Sequence, residues 1–421
     1  MLYKLLPGTK QLIHYNPSYL SGDITAGTVV ALLLIPQSMA YAMIAGVPIA
    51  LGLYAAIFPL LIYALFGSSR YLSVGPVSIV SLLAFSSISS IAKPNSPLFL
   101  ELIIFLGLIV GVIHLVMGLI RLGSLFDYVS PAVISGFTSA AAIIIALNQV
   151  KSILGVSLPS FHSLIGYISD IFHKLPKANA YTISLGLGSL LLLFVMKRKF
   201  PASVGPFFVI IVSIMIVYYF QLDRNGVEIV GEIPQGLPNF SISIPTLDTL
   251  QSLLPVAFMI ACISFAESYA IAKALANKEK EHLDSNQELI GLGMGNITSA
   301  FVGSIPVAGA ISRTAVNHQS GAKSNLSLIV TALLMLIALL YLTPLLYYLP
   351  NATLAAIIIT AVSSLINFKQ FTQYLEQSPL DFLTFLTTFL TTLTINIFIG
   401  LVTGIVLSLL LSVMKRIGWR S

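Results

Sequence analysis

The sequence predicts an all-α integral membrane protein, and three observations carry that prediction. Of its 421 residues 57% are apolar and only 9% charged. The apolar residues gather into runs of membrane-spanning length, and the basic residues between them sort to one side. Ordinary soluble domains carry roughly 25% charged residues, so this composition leaves too little polar surface to cover a water-soluble body.

Crossing a hydrocarbon core takes about 20 apolar residues, fewer where a helix is broken inside the protein. Fourteen runs qualify: 24–45, 49–66, 76–92, 98–120, 127–150, 179–196, 203–220, 250–276, 287–303, 306–320, 324–343, 345–364, 380–397 and 399–415. Basic residues prefer cytoplasmic loops. With the N-terminus inside, the cytoplasmic side receives fifteen: Lys4, Lys10, Arg70, Arg121, Lys197, Arg198, Lys199, Lys273, Lys278, Lys280, Lys323, Lys369, Lys415, Arg416 and Arg420. The outside receives five, Lys93, Lys151, Lys174, Lys177 and Arg224, while Arg313 stays at membrane depth. This sorting predicts an even number of spans with both termini cytoplasmic.

Other classes find no support. The net charge of +6 comes from basic residues scattered singly rather than clustered, which is not a nucleic-acid footprint. A single cysteine, Cys262, excludes an intrachain disulfide and a cysteine metal cluster, and its apolar surroundings suggest packing. The first twenty residues lack the pattern of a cleaved secretory signal. No phosphate-cradling loop, metal-ligand cluster or nucleophile with an ordered base is present, so neither an enzyme nor a cofactor is expected.

Two segments, Gly75-Pro76-Val77 and Ile305-Pro306-Val307, open short hydrophobic stretches about half a chain apart. That is the pattern of an inverted repeat, in which paired discontinuous helices meet near the midplane with their N-termini toward the substrate. Proline is expected at the first helical position, with the free amides beyond it offering partial positive charge to an anion. Two ordinary proline-containing helix starts are the alternative.

Charges at membrane depth are costly, which marks the few that occur as functional candidates. Glu267 lies inside MIACISFAESYAIAK and Arg313 inside IPVAGAISRTAVN. A carboxyl group there can take up a proton and release it as the site rehydrates, as a coupling group must; a helix-locking pair with a lysine or backbone amide is the alternative. It is the lone acid expected deep in a span. Arg313, charged at any working pH, is expected to line or bias an anion site, against the alternative of snorkelling to the cytoplasmic face. His114, Glu101 and Asp381 are expected to be structural.

The block PQSMAYAMIAGVPIALGLYAAIFPLLIYALFGSSRYLSVGPVSIVSL, Pro36 to Leu82, resembles the sulfate permease family, SulP, whose animal members form solute carrier family 26. A second block, NQELIGLGMGNITSAFVGSIPVAGAISRTAVNHQSGAKSNLS from Asn286 to Ser327, is similar to the family's ninth and tenth spans. VISGFTSAAAIIIALNQVK, ending at Lys151, and VGEIPQGLPNF, ending at Phe240, extend the likeness. It implies 14 transmembrane segments as 7+7 inverted repeats with UraA-like core and gate domains, half-helices 3 and 10 meeting at the midplane. The core would comprise 1–125 and 246–344, the gate 126–245 and 345–421, the latter mediating a homodimer.

Carried over by motif, the resemblance places Gln37 and Tyr41 beside the anion, Val77 and Ser78 at the start of helix 3, and Ile311, Ser312 and Arg313 at helix 10. The Ser312 hydroxyl and Gln37 amide would hydrogen-bond an oxyanion. Glu267 resembles the acid of proton-coupled bacterial and plant members. Sodium-coupled bicarbonate members carry a hydroxyl one turn later, where this chain has Ile271. The implied function is secondary transport of a small inorganic anion, sulfate first, by proton symport in an elevator-like step across a cell membrane. A sodium-coupled bicarbonate or dicarboxylate transporter, an anion exchanger and a passive channel are the alternatives. The cytoplasmic STAS domain that most members carry has no counterpart within these residues, which end at Ser421 a few residues past the last span.

Overall fold

A computed structural model describes residues 6–416 except 129, 160, 162, 201–203, 234–245, 367 and 396. Most of the VGEIPQGLPNF block, and Lys4 and Arg420 of the basic set, lie outside the described residues. Helices dominate. In chain order they are α1 Pro7–Ile13, α2 Leu20–Ala45, α3 Ile49–Phe66, α4 Ser78–Ile88, α5 Pro97–Leu119, α6 Pro131–Leu154, α7 Leu164–Lys174, α8 Ala180–Lys199 and α9 Val204–Phe220. They continue as α10 Leu247–Glu279, α11 Ser285–Phe301, α12 Ile311–Gln319, α13 Leu326–Ile337, α14 Asn351–Ser363, α15 Phe368–Gln377, α16 Pro379–Thr394 and α17 Ile397–Arg416. Two short strands, β1 Val74–Gly75 and β2 Ala308–Gly309, and several short 3-10 and π turns lie between them.

Each predicted run holds one helix, and α1, α7 and α15 are additional. These three were passed over because polar residues break up their apolar runs. Among the described residues seven helical stretches are long and apolar enough to cross a membrane by themselves: Pro17–Ala45, Ile49–Phe66, Pro97–Leu119, Pro131–Leu154, Ala180–Lys199, Leu247–Glu279 and Leu326–Leu346. By contrast α4, at 11 residues, and α12, at 9 residues, rise only ~14–16 Å at 1.5 Å per residue, about half a hydrocarbon core.

The prolines do not sit where the sequence reading put them. α4 starts at Ser78 with Val77 as its N-cap, and α12 starts at Ile311 with Ala310 as its N-cap. Pro76 follows β1 and Pro306 precedes β2, so both belong to the extended crossing segments, where a missing amide suits a non-helical backbone.

The chain divides into two compact units. One comprises Met1–Ser124, Leu192–Gln221 and Ile229–Pro350; the other comprises Leu125–Leu191, Leu222–Glu228 and Asn351–Ser421. Inside the first, α5 packs on α11 and α13 on α3, while α2 packs on α13 and α10 on α5. Each pairing has a counterpart when the first four helices of one half are exchanged for those of the other. Small residues let backbones approach, as they do between helices in lipid. A Cβ on Gly111 would come within 2.7 Å of the Ile297 amide nitrogen, and one on Gly293 within 2.8 Å of that of Leu115. Thr331 Oγ1 adds a polar tie, donating to the Gly27 carbonyl at 3.0 Å. In the second unit α6 lies against α14 and α16, and Ser135 Oγ donates to Gln370 Oε1 at 2.8 Å.

Two further acids, Asp23 and Glu288, are buried, at helix starts rather than deep in a span. Glu288 accepts from the Tyr63 hydroxyl at 2.7 Å, the Ser68 amide at 2.7 Å, the Ser68 hydroxyl at 2.8 Å and the Ser69 amide at 2.9 Å. Asp23 accepts from the amides of Lys323 and Ser324 at 2.7 and 3.1 Å, the Ser324 hydroxyl at 2.6 Å and the Tyr15 hydroxyl at 3.1 Å. Burial, reinforced by Asp23, pushes the Tyr15 phenol up to about 12, so it remains a donor at neutral pH. One acid thus pins the turn entering β1 and the other the turn leaving α12.

Buried donors left unpaired cost about 1–3 kcal/mol each. Glu288→Ala is therefore expected to lower the thermal midpoint, followed by labelling of Cys262 on heating, clearly more than Glu288→Gln, which keeps an acceptor. Equal midpoints for the two variants would contradict the clamp.

Candidate anion site

β1 and β2 pair antiparallel, Val74 opposite Gly309 and Gly75 opposite Ala308. Because α4 follows β1 and α12 follows β2, this crossing brings the two half-helix N-termini toward each other from opposite directions. The pairing is extended by the Ala310 amide, which donates to the Ser73 carbonyl at 3.1 Å.

Side chains satisfy the rest of the crossing backbone. The Ser73 amide donates to Thr314 Oγ1 at 3.0 Å, and Asn317 Nδ2 donates to the Tyr71 carbonyl at 3.0 Å. Asn296 serves Val307 as a strand would, its Nδ2 donating to the carbonyl at 2.9 Å and its Oδ1 accepting from the amide at 2.8 Å. Ser268 Oγ accepts from the Gly309 amide at 2.8 Å. Sequence reasoning missed Ser268, Asn296 and Thr314. The available signal was polar side chains inside apolar runs, which when buried must find partners.

Neither half-helix is capped by a side chain. The first intrahelical bonds run from Ser81 to Val77 and from Thr314 to Ala310, so the amides of Ser78, Ile79 and Val80, and of Ile311, Ser312 and Arg313, have no acceptor within their helices. Each such end carries about half a positive charge.

Arg313 is wholly buried, which rules out snorkelling. Its Nη1 donates to the Pro76 carbonyl at 2.9 Å and more weakly to Gln37 Oε1 at 3.5 Å, while Nε lies 3.4 Å from Ser73 Oγ. Nη2 is buried without a hydrogen-bond partner. Gly75 makes room for it, since a Cβ there would sit 3.2 Å from Nη2. Among the described residues no carboxylate forms an ion pair with this guanidinium.

Gln37 and Tyr41 lie one turn apart on α2, both buried, just past Pro36, a proline inside the helix. Glu267 is buried on α10, next to the residue that holds β2, and its field and that of Arg313 both reach Tyr41. Val77 and Ser78 are buried; Ile311 is 40% exposed and Ser312 is exposed. The structure thus joins Gln37, Arg313, Ser73 and Pro76 by hydrogen bonds, with Tyr41 and Glu267 in electrostatic range, and leaves Ile311 and Ser312 on the open side. His114 ties α5 to α10, its Nε2 2.8 Å from the Ala261 carbonyl and 3.3 Å from Ser264 Oγ. Among the described residues no group of three metal-ligating side chains occurs.

The model of the sulfate permease family matches residues 20–388. The chain belongs to that family. It is 40% identical over 360 residues to sulfate transporter 4.1, chloroplastic, of Arabidopsis thaliana, covering 84% of this chain and 52% of that one. Probable sulfate transporter MT1781 of Mycobacterium tuberculosis is 33% identical over 365 residues, covering 87% and 65%. The chain spans about half the length of the plant relative it matches.

Among solved structures, that of SLC26A9 superposes with a TM-score of 0.91 at 26% identity, covering 98% of this chain and 68% of that one. The transmembrane domain of the cyanobacterial bicarbonate transporter BicA gives 0.79 at 24% identity, covering 93% and 98%, a likeness of fold alone. The chain is therefore a multi-pass membrane protein with the UraA-like fold class of these transmembrane domains, seven of its described helical stretches being long and apolar enough to span by themselves.

Ser268→Ala leaves the buried Gly309 amide without its acceptor and is expected to cost about 1–3 kcal/mol, read as a lower thermal midpoint, while Ser268→Thr keeps the hydroxyl and restores most of the loss. An Ala variant as stable as the parent would remove Ser268 from the crossing.

Proposed function

We propose that the chain carries a small divalent oxyanion, sulfate first, across a membrane by secondary active transport, binding it between the half-helix starts and coupling it to a proton held by Glu267. The single observation that carries this reading is a wholly buried guanidinium with no ion-paired carboxylate among the described residues, beside two uncapped helix N-termini. Two helix ends at about half a charge each, plus one arginine, place about two positive charges around one point. A dianion neutralises them. With Glu267 ionised the surplus falls to about one, so proton and dianion favour each other's binding, which is the thermodynamic content of symport.

The names of the relatives support sulfate. The Gln37 amide and Ser312 hydroxyl would add hydrogen bonds to the oxyanion, Tyr41 and Val77 would wall the site, and the amides of Ser78 and Ile311 would supply the field. In this reading residues 1–125 and 246–344 form a moving core, and 126–245 and 345–421 a gate that dimerises; the core carries the site across in an elevator-like step. Both termini lie on the cytoplasmic side of a cell membrane.

Uptake of radiolabelled sulfate into proteoliposomes is expected to exceed equilibrium only under an inward proton gradient and to collapse with it. Sodium-driven bicarbonate uptake with no sulfate flux would replace this reading. Glu267→Gln is expected to abolish accumulation above equilibrium while retaining sulfate binding; undiminished accumulation would remove Glu267 from coupling. Arg313→Ala, which removes one of about two balancing charges, is expected to raise the KM for sulfate about tenfold or more, a 1.4 kcal/mol effect or larger. An unchanged KM would leave Arg313 a purely structural role.

A further inference from the structure

On the membrane face that carries α1, the cytoplasmic face in the orientation proposed above, there is a second place suited to an anion. α1, the turn before β1, the end of α5 and the start of α11 enclose an open cavity of about 1000 Å³. Its wall carries Lys10, Arg70 and Arg121 with the imidazoles of His14 and His282, against one lining carboxylate, Asp284. Arg70 is already paired, with Glu281 at 3.0 Å. Asp284 Oδ1 is turned to the start of α11, accepting from the amides of Asn286 and Gln287 at 2.9 and 3.2 Å. Among the described residues Lys10 and Arg121 form no ion pair.

Two further features shape the wall. Arg121 closes the C-terminal end of α5 with φ of 64°, its amide donating to the Gly118 carbonyl at 3.2 Å and that of Leu122 to Met117 at 2.9 Å. This left-handed position is ordinarily glycine, though Lys280 likewise takes one at the end of α10. Asn286 Oδ1 accepts from the Gly123 amide at 2.9 Å, which fixes the other end of that side chain as the donor end. Leu119, Ile290 and Pro7 add apolar wall. A bare tetrahedral oxyanion would leave most of this volume to water, whereas cavities of roughly 300–1,000 Å³ accommodate organic ligands.

We propose that this cavity binds the phosphate group of an organic phosphate ester, either a soluble phosphorylated metabolite or a phospholipid headgroup, with Arg121 gripping the phosphate in bidentate fashion and Lys10 neutralising its second charge. The site is separate from the crossing strands and does not depend on which anion is transported.

The test is thermal unfolding of the full chain, followed by Cys262 labelling. In neutral detergent the probes are inositol 1,4,5-trisphosphate, inorganic phosphate and sulfate; in phosphatidylcholine nanodiscs the probe is phosphatidic acid, present or absent. A concentration-dependent rise in midpoint with inositol trisphosphate assigns a soluble ester, and a rise with phosphatidic acid alone assigns a headgroup. Arg121→Gly suits the left-handed backbone and Lys10→Gln is exposed, so both variants are expected to fold and to transport sulfate as the parent does, while losing about tenfold in affinity for the phosphate probe. A rise with sulfate is expected from the transport site; no rise with either ester, a rise with the esters unchanged in both variants, or a sulfate response that the two variants weaken as much as the ester response would overturn the proposal.

Discussion

The constraint on which this structure depends is the price of running extended backbone through the middle of a membrane protein. Every amide and carbonyl in such a segment must find a partner inside the protein, since lipid supplies none. Here two segments solve the problem jointly. Val74–Gly75 and Ala308–Gly309 pair with each other, and Asn296, Ser268 and Thr314 take the amides on either side. Asp23 and Glu288 hold the flanking turns. The close-packed glycines of α5 and α11 bring the surrounding helices near enough for those short side chains to reach.

The electrostatics follow from the same arrangement. A crossing of two strands that each lead into a helix brings two helix N-termini to one place, and no capping side chain quenches them. Arg313 reinforces the field and serves the architecture, because its Nη1 is taken by the Pro76 carbonyl. Attraction spread over backbone dipoles and one partly engaged guanidinium suits an anion that must be released as readily as it is bound. In the proposed reading, Glu267, on the helix whose next residue anchors β2, would change the net field by about half in a single protonation event.

Much of this was legible in the sequence. Composition and the sorting of basic residues gave the membrane class, and fourteen apolar runs gave the helices to within a few residues, because long apolar segments leave little choice of structure. The paired Gly-Pro-Val and Ile-Pro-Val segments marked the crossing, and Glu267 and Arg313 stood out as charges in apolar surroundings. The register did not follow. Pro76 and Pro306 looked like helix starts, yet strand pairing, a long-range contact between residues more than 230 positions apart, carries them into the extended segments. The direction of the Arg313 side chain was hidden for the same reason, since its partners Pro76 and Gln37 are distant in sequence. The burial of Asp23 and Glu288 was not legible, because burial at a helix start depends on which turn folds over it. The amphipathic α1, α7 and α15 fall below any hydropathy threshold set for spans.

The central claim is that the crossing strands build one anion site between the starts of α4 and α12. It is tested most directly by crystallising the protein with selenate, a heavier isostere of sulfate, and locating selenium by its anomalous scattering. The account predicts a peak within hydrogen-bonding distance of the amides at Ser78 and Ser312, lost in Arg313→Ala at the same selenate concentration. A peak elsewhere, or one at this place indifferent to Arg313, would contradict it.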